Sequence, residues 1–172
     1  LANIPKNDMS DEEYMSNFKA GQQNRQGGIH NALAKSVLSP TQITHLIDHG
    51  NEGSMHDIAN RKDLSDIHIQ QLANTSNMIV HHHLLSNPEI SNDNFNTIVK
   101  KAHPENVPKI IGHAKFNETH IDNVLNKKIS KADLTPILHR FPDKLEPHHI
   151  SAIIDKGDND THRILVNRLH NK

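Results

Sequence analysis

The sequence has no cysteine and no tryptophan, and only one tyrosine and four phenylalanines among its 172 residues. Without cysteine there can be no disulfide staple, no thiolate zinc site and no thiol nucleophile. Aromatic side chains make up 3% of the chain and hydrophobic residues 34%. That is lean material for a deep, aromatic-lined pocket, and it suits thin helical layers better. Neither sign of charge dominates: Lys and Arg number 19, Asp and Glu 20, for a formal net charge of -1. Bulk electrostatics therefore favour neither nucleic acid nor an anionic membrane as partner. No apolar run approaches the length of a bilayer span, and the opening LANIPKNDMSDEEYM lacks the blocks of a signal peptide. A soluble protein with no membrane partner is expected. A start at Leu1 is expected of a processed product or of a piece of a longer chain.

What the chain does have is a repeat. An apolar anchor, then Ser, Asn or Glu, then two further apolar positions recur as Leu38, Ser39, Ile43, Leu46; Leu64, Ser65, Ile69, Leu72; Ile90, Ser91, Phe95, Ile98; Phe116, Asn117, Ile121, Val124; and Leu145, Glu146, Ile150, Ile153. The anchors lie 26 residues apart three times, from 38 to 116, and 29 apart once, from 116 to 145. A fixed period of this size is the mark of a solenoid. The residue after each anchor is an expected N-cap, and Asp66, Asp93 and Glu118 suit the positive end of the following helix.

After a polar turn, a second apolar cluster returns at a constant offset: Ile58 and Ala59, Leu84 and Leu85, Ile110 and Ile111, Ile137 and Leu138, Leu165 and Val166. Each unit thus reads as helix A, turn, helix B. Met9, Ser10, Tyr14 and Phe18, with Ala32 and Leu33, read as a degenerate earlier unit. The expected fold is all-α: a right-handed α-solenoid of about six antiparallel helix pairs with a period of about 26. Its units run about 9–37, 38–63, 64–89, 90–115, 116–144 and 145–172, in one domain from 9 to 172, with residues 1–8 extended or frayed.

The run NPEIS at 87–91, with HAKFNETHI at 113–121, resembles the short helical repeats of the leucine-rich-repeat-variant and HEAT-like families. Asn87 and Pro88 match their Asn-Pro junction, and Asp158, Asn159, Asp160, His162 and Arg163 approximate their acidic turn and its Arg. Their Val-Arg pair is replaced here, for instance by His81 and His82 or by Val107 and Pro108. The resemblance covers about residues 9–169 and is one of architecture. It implies a scaffold: such repeats are common in bacterial scaffold proteins and in proteins of large phages, and fold alone does not fix function.

Repeats turn the search for a site into a search for columns of equivalent residues. Sixteen histidines are many for this length. Gln42, His68, Asn94, His120 and His149 share one helix-A position, either a polar ladder that recognises a partner or senses acid, or a flanking position that simply tolerates such side chains. The ends of helix B supply Lys35, Arg61, Asn87, His113, Arg140 and Arg168, a column without an acid. It reads as an anion-binding stripe or, more simply, as cations at helix C-termini. His45 and His49 could chelate a metal and His81, His82 and His83 form a run, but two exposed imidazoles fall short of a structural site, so no metal or cofactor is expected. No phosphate loop, nucleophile elbow or HExxH motif occurs.

The expected function is therefore a noncatalytic repeat scaffold for protein–protein interaction, plausible in a larger assembly such as a phage virion, and so cytoplasmic or within a particle. The Leu165, Val166 and Leu169 end is expected to meet further chain, a partner or another subunit. Two alternatives stay open: nucleic-acid binding by the basic column, and a His-dependent metal or pH response.

Overall fold

A computed structural model of the chain describes residues 9–23 and 27–170. The expected frayed segment 1–8 and part of the first turn lie outside them. The described residues form twelve α-helices and no strand: α1 Asp11–Gln23, α2 Gly27–Ala34, α3 Pro40–His49, α4 Glu52–Ala59, α5 Asp66–Ala73, α6 Met78–Leu84, α7 Asn92–Lys101, α8 Val107–Gly112, α9 Ile121–Leu125, α10 Thr135–Arg140, α11 Pro147–Lys156 and α12 Asn159–His170. None is long and apolar enough to cross a membrane.

The helices begin where the sequence places caps. Ser39, Ser65 and Ser91 sit in extended backbone and accept from the N–H three residues on, those of Gln42, His68 and Asn94. Asn117 accepts from the Thr119 N–H and opens a 3-10 turn, Glu118–His120, that leads into α9. At Gly50 the chain leaves α3 in extended conformation while its N–H bonds the Leu46 carbonyl. A Cβ on Gly50 would run into that carbonyl oxygen and into the Ser54 hydroxyl, so the residue is small for space and not for a left-handed φ.

Two compact units divide the chain, one of residues 1–75 with 79–84, the other of 76–78 with 85–172. In the first, α1 packs on α2, α2 on α4, and α3 on α4 and α5. Its core holds Tyr14, Phe18, Leu33, Leu46, Ile58 and Leu72, all buried. The buried helix-B pair is Leu33 and Ala34, one residue later than the expected Ala32 and Leu33. In this register the His30 ring stacks on Phe18 at 4.6 Å.

In the second unit α7 packs on α9 and α9 on α11, α8 on α10 and α10 on α12, and α11 also packs on α12. Ile90, Phe95, Ile98, Ile110 and Ile137 are fully buried between them. The extra residues between α9 and α10 are pinned to the turn before α12. Ala132 N–H donates to the Lys156 carbonyl at 2.9 Å, Asp158 N–H returns to the Ala132 carbonyl at 2.9 Å, and buried Thr161 accepts from Leu134 N–H at 3.0 Å. Lys131, at φ 50, makes the left-handed step that lets the strand of chain double back.

Candidate functional site

All five residues of the expected ladder are buried: Gln42 at 3% exposure, His68 at 4%, Asn94 at 2%, His120 at 6% and His149 at 7%. They are inner connectors and not a display to solvent. In the first unit, Gln42 accepts from its own N-cap, Ser39 N–H, at 3.1 Å, while its amide donates to the Met9 carbonyl at 3.1 Å and to Asp11 at 2.8 Å. His68 does the same with one ring: Nδ1 accepts from Ser65 N–H at 3.4 Å and Nε2 donates to the Pro40 carbonyl at 3.1 Å.

The second unit repeats the device. His120 Nδ1 accepts from Asn117 N–H at 3.0 Å and its Nε2 reaches Asn96 Oδ1 at 2.6 Å. His149 Nδ1 accepts from Glu146 N–H at 3.1 Å and Nε2 reaches Asp122 Oδ1 at 3.0 Å. A backbone N–H at Nδ1 requires a lone pair there, so the neutral ring carries its proton on Nε2. Burial holds the His120 pKa below its ordinary value.

The arginines of the basic column are committed to carbonyl groups of the chain, Arg140 while remaining exposed. Arg61, with 12% of its side chain exposed, donates from Nη1 to the carbonyls of Ala34 and Ser36, both at 2.8 Å, and from Nε and Nη2 to Asp63. Arg140 reaches the carbonyls of Ile111 at 2.8 Å, His113 at 3.4 Å and Phe116 at 2.6 Å, with its guanidinium over the rings of Phe116 and Phe141. Arg168 donates to the Leu138 carbonyl at 3.4 Å. His113 stacks on Phe95 and points Nε2 at the Asn87 carbonyl, 3.5 Å away. The donors of these residues reach carbonyls at or just past the end of the helix one period back. Asn87 belongs to the column as an acceptor, through its carbonyl. Lys35 stands apart: the one-residue slip in α2 leaves it exposed beside Asp57 at 3.3 Å.

A second set of braces escaped the sequence reading. Lys127 donates to the carbonyls of Lys100 at 3.2 Å and Ala102 at 2.8 Å, and Lys156 to those of Leu125 at 2.5 Å and Lys127 at 2.9 Å. Both stand eleven residues after their anchors, Phe116 and Leu145. That shared offset was the available signal. Burial depresses the Lys127 pKa.

Around Asp122 the ladder thickens into a cluster. His148 Nε2 lies 3.0 Å from the same Asp122 oxygen that His149 meets, and His148 Nδ1 lies 3.5 Å from Glu146 Oε2. The two imidazole centroids are 4.0 Å apart. His149 is buried, whereas Asp122 and His148 are exposed. Hydrogen bonding from His148, with a smaller share from His149, holds the Asp122 carboxyl below the usual carboxylate range. Sequence reasoning placed His149 in the ladder and missed Asp122 and His148, because their meeting depends on helices 26 residues apart.

The remaining histidines differ in exposure: His49, His82, His103 and His139 face solvent, whereas others are packed. His81 is fully buried, with Nε2 3.1 Å from the Ala73 carbonyl. His45 meets the buried Tyr14 hydroxyl at 2.9 Å through Nδ1, and its ring lies 4.7 Å from that of His49. Desolvation lowers the His45 pKa and raises that of Tyr14. They line a shallow cavity of about 250 Å³ with Asp11, Thr41 and Gln42.

At the last helix pair, Leu165 is buried at 3% while Val166 is 50% exposed, and the side chain of Leu169 lies outside the described residues. No family model, curated protein or solved structure matches the chain.

Proposed function

We propose that this chain is a noncatalytic α-solenoid of about six right-handed helix pairs, similar to HEAT-like repeats, that binds or spaces other proteins within a larger assembly such as a phage virion. One observation supports this reading above the others. Ile154 is 54% exposed, whereas the residues at its position in α7 and α9, Val99 and Leu125, are at 0% and 3%. Val166 is likewise 50% exposed against 1% for Ile111 and 2% for Leu138. The positions that a following helix pair covers elsewhere in this unit are left open on α11 and α12. A further helix pair of the same protein or an apolar helical face of a partner would fit there.

The basic column gives little support to nucleic-acid binding, because its arginines are committed to carbonyl groups. The test is a double substitution, Ile154→Asp with Val166→Asp, at two half-exposed positions where folding should survive. The chain purified from its own cells is expected to bring a defined protein at fixed stoichiometry by sedimentation, and the double variant to lose it. A wild-type chain that stays a partnerless monomer, or a partner retained by the double variant, would overturn the reading.

A further inference from the structure

His148 distinguishes the Asp122 rung from the others, because both of its ring nitrogens face carboxylates, Asp122 at 3.0 Å and Glu146 at 3.5 Å. A neutral imidazole has one proton and can satisfy only one of them. In the metal-free site Nε2–H serves Asp122 and leaves the Nδ1 lone pair facing Glu146; a cation bound between Nε2 and the Asp122 carboxylate displaces that proton and lets Nδ1–H turn to Glu146. We propose that Asp122, His148 and His149 form a binding site for a divalent transition metal ion of the zinc class.

The three ligand atoms already lie within 4.8 Å of one another. A zinc ion held at about 2.0–2.2 Å from each requires ligand atoms roughly 3.4 Å apart, so the 3.0 Å contacts to Asp122 open by a few tenths of an ångström while the two imidazole nitrogens, within 4.8 Å of each other, settle to the same separation. Two imidazoles and one carboxylate select zinc, cobalt or nickel over calcium and magnesium, which take oxygen ligands. Glu146 behind His148 Nδ1 supplies the carboxylate–histidine support that orients such ligands. Three protein ligands leave a coordination position for water, and the exposure of Asp122 and His148 leaves the approach from solvent open.

One cost is built in. His149 Nδ1 accepts the Glu146 N–H, so ligation through Nε2 shifts the ring proton to Nδ1 and releases that capping bond. The loss weakens affinity by roughly tenfold relative to an uncommitted histidine. A positive ion at the start of α11 also opposes the helix dipole. The site is therefore one of moderate affinity, filled and emptied by exchange.

Calorimetric titration of the purified chain with zinc chloride, and visible absorption with cobalt chloride, test it. One saturable equivalent with cobalt d–d bands of a low-coordinate site is expected. His148→Gln and Asp122→Asn, both at exposed positions, should each weaken that equivalent at least tenfold and remove the bands. Glu146→Gln should weaken it by about tenfold. His45→Gln combined with His49→Gln controls for the other imidazoles and should leave it intact. Absence of saturable binding to the wild type, or binding indifferent to both His148→Gln and Asp122→Asn, would overturn the assignment.

Discussion

A side chain at the third helical position of α3, α5 and α11 must do two jobs, accepting from its own N-cap and donating to the helix before. Gln and neutral His can do both, which explains why such unlike residues share a column. His68→Gln should therefore cost little. His68→Ala strands the Ser65 N–H and the Pro40 carbonyl and should cost about 1–3 kcal/mol by urea denaturation. His68→Glu keeps the acceptor and loses the donor, so it should fall between the two. At Gly50 the constraint is steric: Gly50→Ala pushes a methyl at the Leu46 carbonyl and should cost about 1–3 kcal/mol in the same measurement. The column was legible in the sequence, but its direction was not. Periodicity identifies equivalent residues, whereas whether they point inward depends on helix rotation, which only packing decides.

Helix ends are the weak points of short helices, and here they are closed by residues one period further on. Arg140 is the clearest case, with three carbonyls of the segment 111–116 and two aromatic rings around one guanidinium. Arg140→Ala should destabilise by about 2–3 kcal/mol, and Arg140→Lys should recover less than half, since an ammonium cannot fork to three acceptors or stack. Thermal unfolding of the two variants checks this. The sequence favours cations at helix C-termini over an anion-binding stripe, and Arg140 and Arg168 do stand in the last turns of α10 and α12. Their donors also reach back to carbonyls one period earlier, a neighbour that counting along the chain does not reveal. Lys35 shows the limit of such counting: a single-residue slip in α2, where Leu33 and Ala34 are the buried pair, moves it off the column. Within the core the period was a sound guide. Ile98, fully buried as expected, should lose about 2–5 kcal/mol on replacement by Ala.

For the molecule as a whole, the neutral histidines link folding to pH. Desolvation, with the Lys115 charge, lowers the His113 pKa against the opposing bond to Asn87, and desolvation with His49 lowers that of His45. The unfolded chain protonates such groups near pH 6.5 and the folded chain only lower, so in between the unfolded state holds more protons and stability rises with pH. Stability should thus be complete above about pH 6.5 and decline as the solution is acidified toward pH 5, with His113→Gln flattening the slope of urea-derived stability against pH. The all-helical class was readable from the repeat because apolar spacing reports packing directly. The Asp122 cluster was not, because it joins residues that no local pattern relates. The two-ended connectors have a further consequence, for recognising relatives. Apolar, then Ser, Asn or Glu, two free positions, then Gln, His or Asn, recurring every 26 to 29 residues, is a search pattern grounded in hydrogen-bond valence. It admits no Lys, Arg or Asp at its last position, and so it can pick out chains of this construction whose other residues have drifted beyond alignment.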